Sequence, residues 1–312
     1  MTDFELLQEP LLSRGALDRP VTLRSDEDAL DAGWGDALVL RVSPRGRVRL
    51  QGDRLLLERA AQLFPQRPQE AVLLGVDAGL HVWAVRDTGF DERVVPGESD
   101  GTVELGDLRS CGALLGSTEA GQYVTALAVL SWHTNARFCS RDGAATKPVQ
   151  AGWVRICESC EREEYPRTDP AIICLVHDGA DRILLARQPV WPERMYSVLA
   201  GFVEAGESLE ACVAREIAEE VGVLVHDVHY LGSQPWPFPR SIMLGFHAKA
   251  DPAQEFVFAD GEIAEAQWFT RAEVREALEA GDWSTRADAK LLLPGSVSIA
   301  RGMVESWAAV GR

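Results

Sequence analysis

The sequence has 312 residues, 46% of them hydrophobic and 25% charged, with a net charge of −17. This is a globular composition, long enough for two domains or for two and a small module. The excess of acid excludes broad, charge-driven nucleic-acid binding, and it requires that a polyanionic substrate be met by local cations.

Residues 171–176 (AIICLV) are typical of the apolar runs, which are too short to cross a bilayer. Residues 1–12 lack the basic region and apolar core of a signal peptide. A cytoplasmic protein with no membrane partner is expected.

Residues 1–130 read as a β-rich N-terminal domain. Strand-like runs occur at 37–42, 48–51, 71–76 and 81–86, separated by Gly, Pro and Asp turns. A helix is expected from about 119 to 135, where Ala, Leu and Val recur at helical spacing. No catalytic constellation stands out here, and on composition Arg109 reads as a surface arginine.

Residues 131–167 form a short zinc-ribbon-like module. Cys157 and Cys160 make a CxxC knuckle, and Cys139 lies eighteen residues before it. Asp142 stands where a second CxxC would have its second cysteine. The pattern is CxxD…CxxC, which leaves three readings open. Cys139, Asp142, Cys157 and Cys160 could complete a zinc tetrahedron; His133 could stand in for one ligand; or the metal has been lost. Zinc held by four protein ligands would be structural. Six cysteines in a cytosolic chain of this size do not imply a disulfide framework. Cys111, Cys174 and Cys212 read as small buried apolar residues.

Residues 168–312 read as the catalytic domain. Strand runs at 171–177 and 182–188 flank the turn 178–181 (DGAD), and 196–199 leads into a glycine-bounded segment. Further strands are expected at 228–232, 242–250 and 266–269, with helices at 271–280 and 298–310. That order of elements implies a mixed α/β sandwich, a sheet between helices.

The segment 201–223, GFVEAGESLEACVAREIAEEVGV, carries the chemistry. Ser208 can cap a helix that opens at Leu209, and Gly222 lies just beyond its end. Leu209, Val213 and Ile217 form a buried stripe. Glu216, Glu219 and Glu220 follow i, i+3, i+4 spacing and share one face. Three such close carboxylates repel one another unless a cation lies among them, and Mg²⁺ or Mn²⁺ suits their hard oxygens. Farther on, 233–241 reads SQPWPFPRS. Alternating Pro235, Pro237 and Pro239 stiffen an extended segment and deny it regular ladder bonds, so it belongs at a sheet edge or a pocket wall.

The segment 201–223 resembles the Nudix box at every fixed position. SQPWPFPRS downstream of it is similar to the diagnostic motif of the NADH pyrophosphatases, a family of Nudix hydrolases. The likeness extends to YPRTDPAII at 165–173, VLAGFVEAGE at 198–207 and PGSVSIAR at 294–301, and covers about 170 residues from the ribbon onward. Asp142 is the departure from the family pattern.

This resemblance implies a Nudix α/β/α sandwich, dependence on Mg²⁺ or Mn²⁺, and a homodimer whose partner chain helps form the pocket. The implied reaction cleaves NADH or NAD⁺ into NMN(H) and AMP, and removes the NAD cap from RNA 5′ ends. It implies metal ligation by Glu216, Glu219, Glu220, the Ala200 carbonyl and Glu262, with Glu265 a neighbouring structural partner. Glu207 and Arg215 would pair and hold the loop on the helix, while Gly201 and Gly206 would permit sharp loop geometry. Tyr165 and Phe202 are implied as ring platforms, although either could be core. Gln234, Pro235, Trp236, Pro237, Phe238, Pro239, Arg240 and Ser241 would line the dinucleotide site, with Ala300 and Arg109 as further contacts. Two other readings stand beside it. One is a broader hydrolase of ADP-ribose or other nucleoside diphosphate derivatives; the other is a non-catalytic Nudix-fold binding module, which the intact box disfavours.

Overall fold

The computed structural model describes residues 4–15, 17–89, 103–259, 261–283 and 289–310. The chain divides into two compact units. One comprises Arg14–Thr168 with Trp236–Arg240; the other comprises Met1–Ser13, Asp169–Pro235 and Ser241–Arg312.

The unit that starts at Arg14 holds α1 (Glu27–Ala32) and the strands β1 (Leu38–Val42), β2 (Val48–Gln51), β3 (Arg54–Leu55) and β4 (Glu58–Arg59). Then come α2 (Ala60–Leu63), β5 (Val72–Asp77), β6 (Leu80–Arg86), β7 (Val103–Gly106), α3 (Leu108–Cys111) and α4 (Ser117–Asn135). One sheet has the order β4-β1-β6-β5 and a smaller one β3-β2-β7. Ala78 and Gly79, at φ 47° and 83°, close the β5–β6 hairpin with two left-handed residues, as a two-residue turn on twisted strands requires. Trp83, Trp34, Leu30, Val39 and Leu73 form its core. The expected helix is α4, and the four expected strand runs are β1, β2, β5 and β6, each within a residue of its expected ends.

In the same unit β8 (Thr146–Val149), β9 (Val154–Cys157) and β10 (Glu163–Glu164) make a three-stranded antiparallel ribbon. Arg155 is buried there and donates to the Thr146 hydroxyl at 2.7 Å, the Thr146 carbonyl at 2.6 Å and His133 Nδ1 at 2.9 Å.

The other unit contains β11 (Asp169–His177), β12 (Arg182–Arg187), β13 (Leu199–Phe202), α5 (Leu209–Val221), β14 (Val225–Trp236), β15 (Ser241–Ala250), β16 (Glu265–Thr270), α6 (Arg271–Ala280) and α7 (Ile299–Ala309). Its sheet runs β14-β15-β11-β12-β16, with β13 paired to β11. Along β11 side chains alternate between faces. Ile172, Cys174 and Val176 pack with Val213, Ile217 and Val221 of α5. Ile173 and Leu175 pack on the other face with Met303, Val304 and Trp307 of α7. The period of two therefore builds the expected α/β/α sandwich.

One element differs from expectation. The strand expected at 228–232 extends from Val225 to Trp236 and takes in the first half of SQPWPFPRS. Pro235 is tolerated because β14 is an edge strand. The second half turns into β15 at Ser241.

Candidate active site

Helix α5 is capped as its sequence requires. The Ser208 hydroxyl accepts from the Ala211 N–H at 3.2 Å, and Gly222 ends the helix at φ 75°. Cys212, Val213, Ile217 and Val221 turn inward. Glu219 is exposed, Glu216 half-buried and Glu220 buried.

Arg215 binds this acidic face together. Its guanidinium donates to Glu207 at 2.6 and 3.1 Å, to Glu216 and Glu219 at 2.9 Å each, and to the Phe202 carbonyl at 2.9 Å. Glu207 first, then Glu216 and Glu219, raise the Arg215 pKa. In return Arg215, followed by the Glu204 N–H, holds the Glu207 carboxyl at about 2. The expected Glu207–Arg215 pair is thus formed, and it closes the loop 204–207 onto the helix.

The ionised form of Glu207 is favoured by folding, since its folded pKa lies below the ordinary 4.5. Its contribution to stability is present above that value and is lost as the pH falls toward about 2. Glu207→Gln is expected to lower the melting temperature near neutral pH and to flatten the acid-induced loss in that window. Melts against pH in which variant and wild type decline in parallel would rule the pair out as its source.

Gly201 has a role that differs from the one expected. A Cβ built there would fall 1.9 Å from Glu216 Cδ, so the carboxylate packs directly on the glycine Cα. Space, rather than loop geometry, requires this glycine. Gly206, at φ 97°, is the one in a left-handed loop conformation. Burial raises the Glu216 pKa; Arg215 opposes this, and the charges of Glu219 and Glu262 add to it. Exposed Glu262 therefore lies within electrostatic reach of Glu216. Glu265 instead faces Arg187 at 3.6 Å, as a structural partner would.

Phe202 and Tyr165 are 58% and 57% exposed, so neither is core. The Tyr165 hydroxyl donates to Glu163. Ala200 is exposed in β13, opposite Ile173. Trp236 and Phe238 pack edge to face with centroids 5.0 Å apart. The Arg109 guanidinium lies over both rings, 4.1 Å from Phe238 and 5.4 Å from Trp236, an arrangement no local pattern around Arg109 signals. Pro237 and Ser241 are buried, Pro235 and Arg240 half-buried and Pro239 exposed. Gln234 is fully buried; its side chain accepts from the Leu12 N–H at 3.4 Å and donates to the Val297 carbonyl at 3.0 Å. Ala300 is buried in α7, and its N–H donates to the Ser298 hydroxyl at 3.3 Å. Sequence reasoning missed a cavity of about 210 Å³ lined by Trp132, Phe138, Tyr165, Arg167 and Arg240. Its walls come from distant segments that share no motif.

In the ribbon, one ligand atom each from Cys139, Asp142, Cys157 and Cys160 lies within 4.8 Å of the others. The Cys139 and Cys160 sulfurs are 3.8 Å apart, and Cys157 Sγ is 3.5 Å from Asp142 Oδ1. A zinc tetrahedron with Zn–S near 2.3 Å has S···S edges of about 3.8 Å, so the donors fit zinc. His133 does not stand in. It is buried, accepts from Arg155 at Nδ1 and donates from Nε2 to the Gly152 carbonyl at 2.8 Å. Burial pushes its pKa down to about 4, keeping this neutral tautomer.

The chain is 58% identical over 309 residues to the "NAD-capped RNA hydrolase NudC" of Mycobacterium bovis, covering 98% of this chain and 97% of that protein. It belongs to the NADH pyrophosphatase family of Nudix hydrolases. The NUDIX domain model matches residues 167–289, and the NADH pyrophosphatase zinc ribbon domain matches 134–165. The Mycobacterium tuberculosis protein of the same description is also 58% identical, over 98% of this chain and 97% of its own length. A mouse relative, "NAD(P)H pyrophosphatase NUDT13, mitochondrial", is 38% identical over 89% of this chain and 80% of its own. The Nudix match spans the capped helix and its carboxylates, and the ribbon match spans all four donors.

Proposed function

We propose that the protein hydrolyses the pyrophosphate of NADH and NAD⁺ to NMN(H) and AMP, and removes the NAD cap from RNA, releasing NMN and leaving a 5′-monophosphate. The reading rests on the acidic helix face locked by Arg215, in a chain 58% identical along nearly its whole length to an NAD-capped RNA hydrolase.

Glu216, Glu219, Glu220, Glu262 and the Ala200 carbonyl would hold Mg²⁺ or Mn²⁺. All are hard oxygen donors, and the raised pKa of Glu216, with Glu219 and Glu262 adding to it, marks a spot where positive charge is stabilising. Such ions, when bound, neutralise the pyrophosphate charge and acidify a water. Water then forms the new P–O bond while the bridging oxygen leaves with the other monophosphate. Exposed Glu262 would serve as a metal ligand or as the base that takes the water's proton.

Arg215 and Gly201 position the carboxylates rather than touching substrate. Phe202 and Tyr165 offer ring faces to nicotinamide or adenine, and Arg109, Trp236 and Phe238 form a second aromatic platform. The backbone from Gln234 to Ser241 lines the dinucleotide. Buried Gln234 and Ala300 serve by fixing that backbone.

The chain works as a homodimer in the cytoplasm. Among the described residues no helix is long and apolar enough to cross a membrane. Light scattering on purified protein tests the dimer.

Incubation with Mg²⁺ or Mn²⁺ and NADH, ADP-ribose or NAD-capped RNA, followed by chromatography, tests the activity. NMNH and AMP from NADH are expected. Turnover of ADP-ribose alone would favour the broader hydrolase. No turnover of any substrate, with Glu220→Gln indistinguishable from wild type, would overturn the enzyme reading.

The ribbon holds one structural zinc. Metal analysis is expected to find about one zinc per chain and much less in Asp142→Ala. A zinc-free wild type would leave the ribbon to its own hydrogen bonds.

A further inference from the structure

The charge of this chain is unevenly divided. The unit formed by Arg14–Thr168 and Trp236–Arg240 holds 20 Lys and Arg against 23 Asp and Glu, a net −3; the catalytic unit holds 11 against 25, a net −14. A long polyanion is repelled by the second and nearly tolerated by the first.

Within the less acidic unit, two arginines meet on one indole. The Arg24 guanidinium carbon lies 3.9 Å from the Trp153 ring centroid, and that of Arg19 lies 5.8 Å from it. The indole is itself fixed, since Trp153 Nε1 donates to the Leu73 carbonyl at 2.7 Å. Arg19 Nη2 donates to the Thr125 hydroxyl at 2.7 Å. Among the described residues no carboxylate pairs with either guanidinium; desolvation lowers both pKa values, and Arg19 adds repulsion on Arg24. Elsewhere the arginines of this acidic chain find carboxylates readily: Arg41 has Asp87 and Glu58, and Arg67 has Glu27 and Asp31.

Two like charges held together beside a ring face, with N–H donors open to solvent, favour an anion with several oxygens. Stacking on Trp153 pre-orients the forks, so less entropy is lost when they bind.

We infer that Arg19 and Arg24, held on Trp153, form an anion site for a backbone phosphate of the RNA that follows the cap. The inference rests on the proposed decapping activity and extends it to the body of the RNA, which NADH lacks. It also resolves how a chain of net charge −17 takes an RNA substrate: affinity comes from a local cation pair, not from overall charge.

The test is titration of the full-length protein, without added Mg²⁺ or Mn²⁺, with an unstructured 5′-monophosphate RNA of about 20 nucleotides at several salt concentrations. Arg19→Ala/Arg24→Ala is expected to raise Kd about tenfold at low salt and to reduce the slope of log Kd on log salt by about 0.7, one single-strand phosphate contact. Arg19→Lys/Arg24→Lys is expected to keep most of that slope. NADH turnover and melting temperature of both variants should match wild type. An unchanged Kd and slope in the alanine variant would overturn the site. A parallel fall in NADH turnover and melting temperature would overturn it too, because the arginines would then only support the fold. Failure of the wild type to cleave NADH would count against the proposed activity, whereas the RNA titration needs no turnover and still decides this site.

Discussion

Glu216→Gln is expected to lower kcat/KM for NADH by about 10³-fold or more while the protein stays folded. Burial raises the pKa of Glu216, with Glu219 and Glu262 adding to the shift. Burial therefore makes its charge unfavourable in the metal-free fold beyond what Arg215 offsets, and a metal cation would relieve that cost. The amide keeps the shape and removes that charge. The metal-free variant should melt at or above the wild-type temperature, and the rise in melting temperature on adding Mg²⁺ or Mn²⁺ should shrink sharply. Kinetics and paired melts check both halves. Wild-type turnover in the variant would remove Glu216 from the chemistry. A large loss of metal-free stability would mean that its main role is the ion pair with Arg215.

Gly201→Ala is expected to cost about 10²-fold in kcat, with a smaller change in KM. The added methyl would fall 1.9 Å from Glu216 Cδ, and a contact that close cannot be relieved without moving the carboxylate or β13. A displacement of about 1 Å at a positioned group is enough for such a loss. Gly206→Ala is the control. It strains a left-handed residue at φ 97° and should cost about 1 kcal/mol of stability, yet nothing lies within 4 Å of its Cβ position. Equal kinetic losses in the two variants would mean that the loop, not the carboxylate, is what these glycines protect.

The contrast between these glycines shows how far the sequence could be read. Spacing marked both as special but did not separate a backbone requirement from a steric one. Gly206 needs its φ, which is a local property. Gly201 needs room for a side chain fifteen positions away, which depends on how β13 lies against α5. The pairing of Glu207 with Arg215 was implied by the resemblance to the Nudix box. That Arg215 also reaches Glu216, Glu219 and the Phe202 carbonyl was not. In the ribbon, cysteine spacing gave three readings. The structure removed His133, whose two ring nitrogens are both engaged in a buried network with Arg155 and Gly152.

By itself the sequence determined the capped helix, the shared face of Glu216, Glu219 and Glu220, the alternation that builds a sheet between helices, and the family. These follow from local rules: a cap residue before a helix, i and i+4 on one face, and a period of two along a strand. Tertiary structure alone decided that residues 4–13 join the catalytic unit and that Gln234 is buried between Leu12 and Val297. It alone set Arg109 on Trp236 and Phe238, and Arg19 with Arg24 on Trp153. Each of these joins residues far apart in the chain. Their meeting is fixed by which faces pack and which charges find partners, and no short window of sequence contains that information.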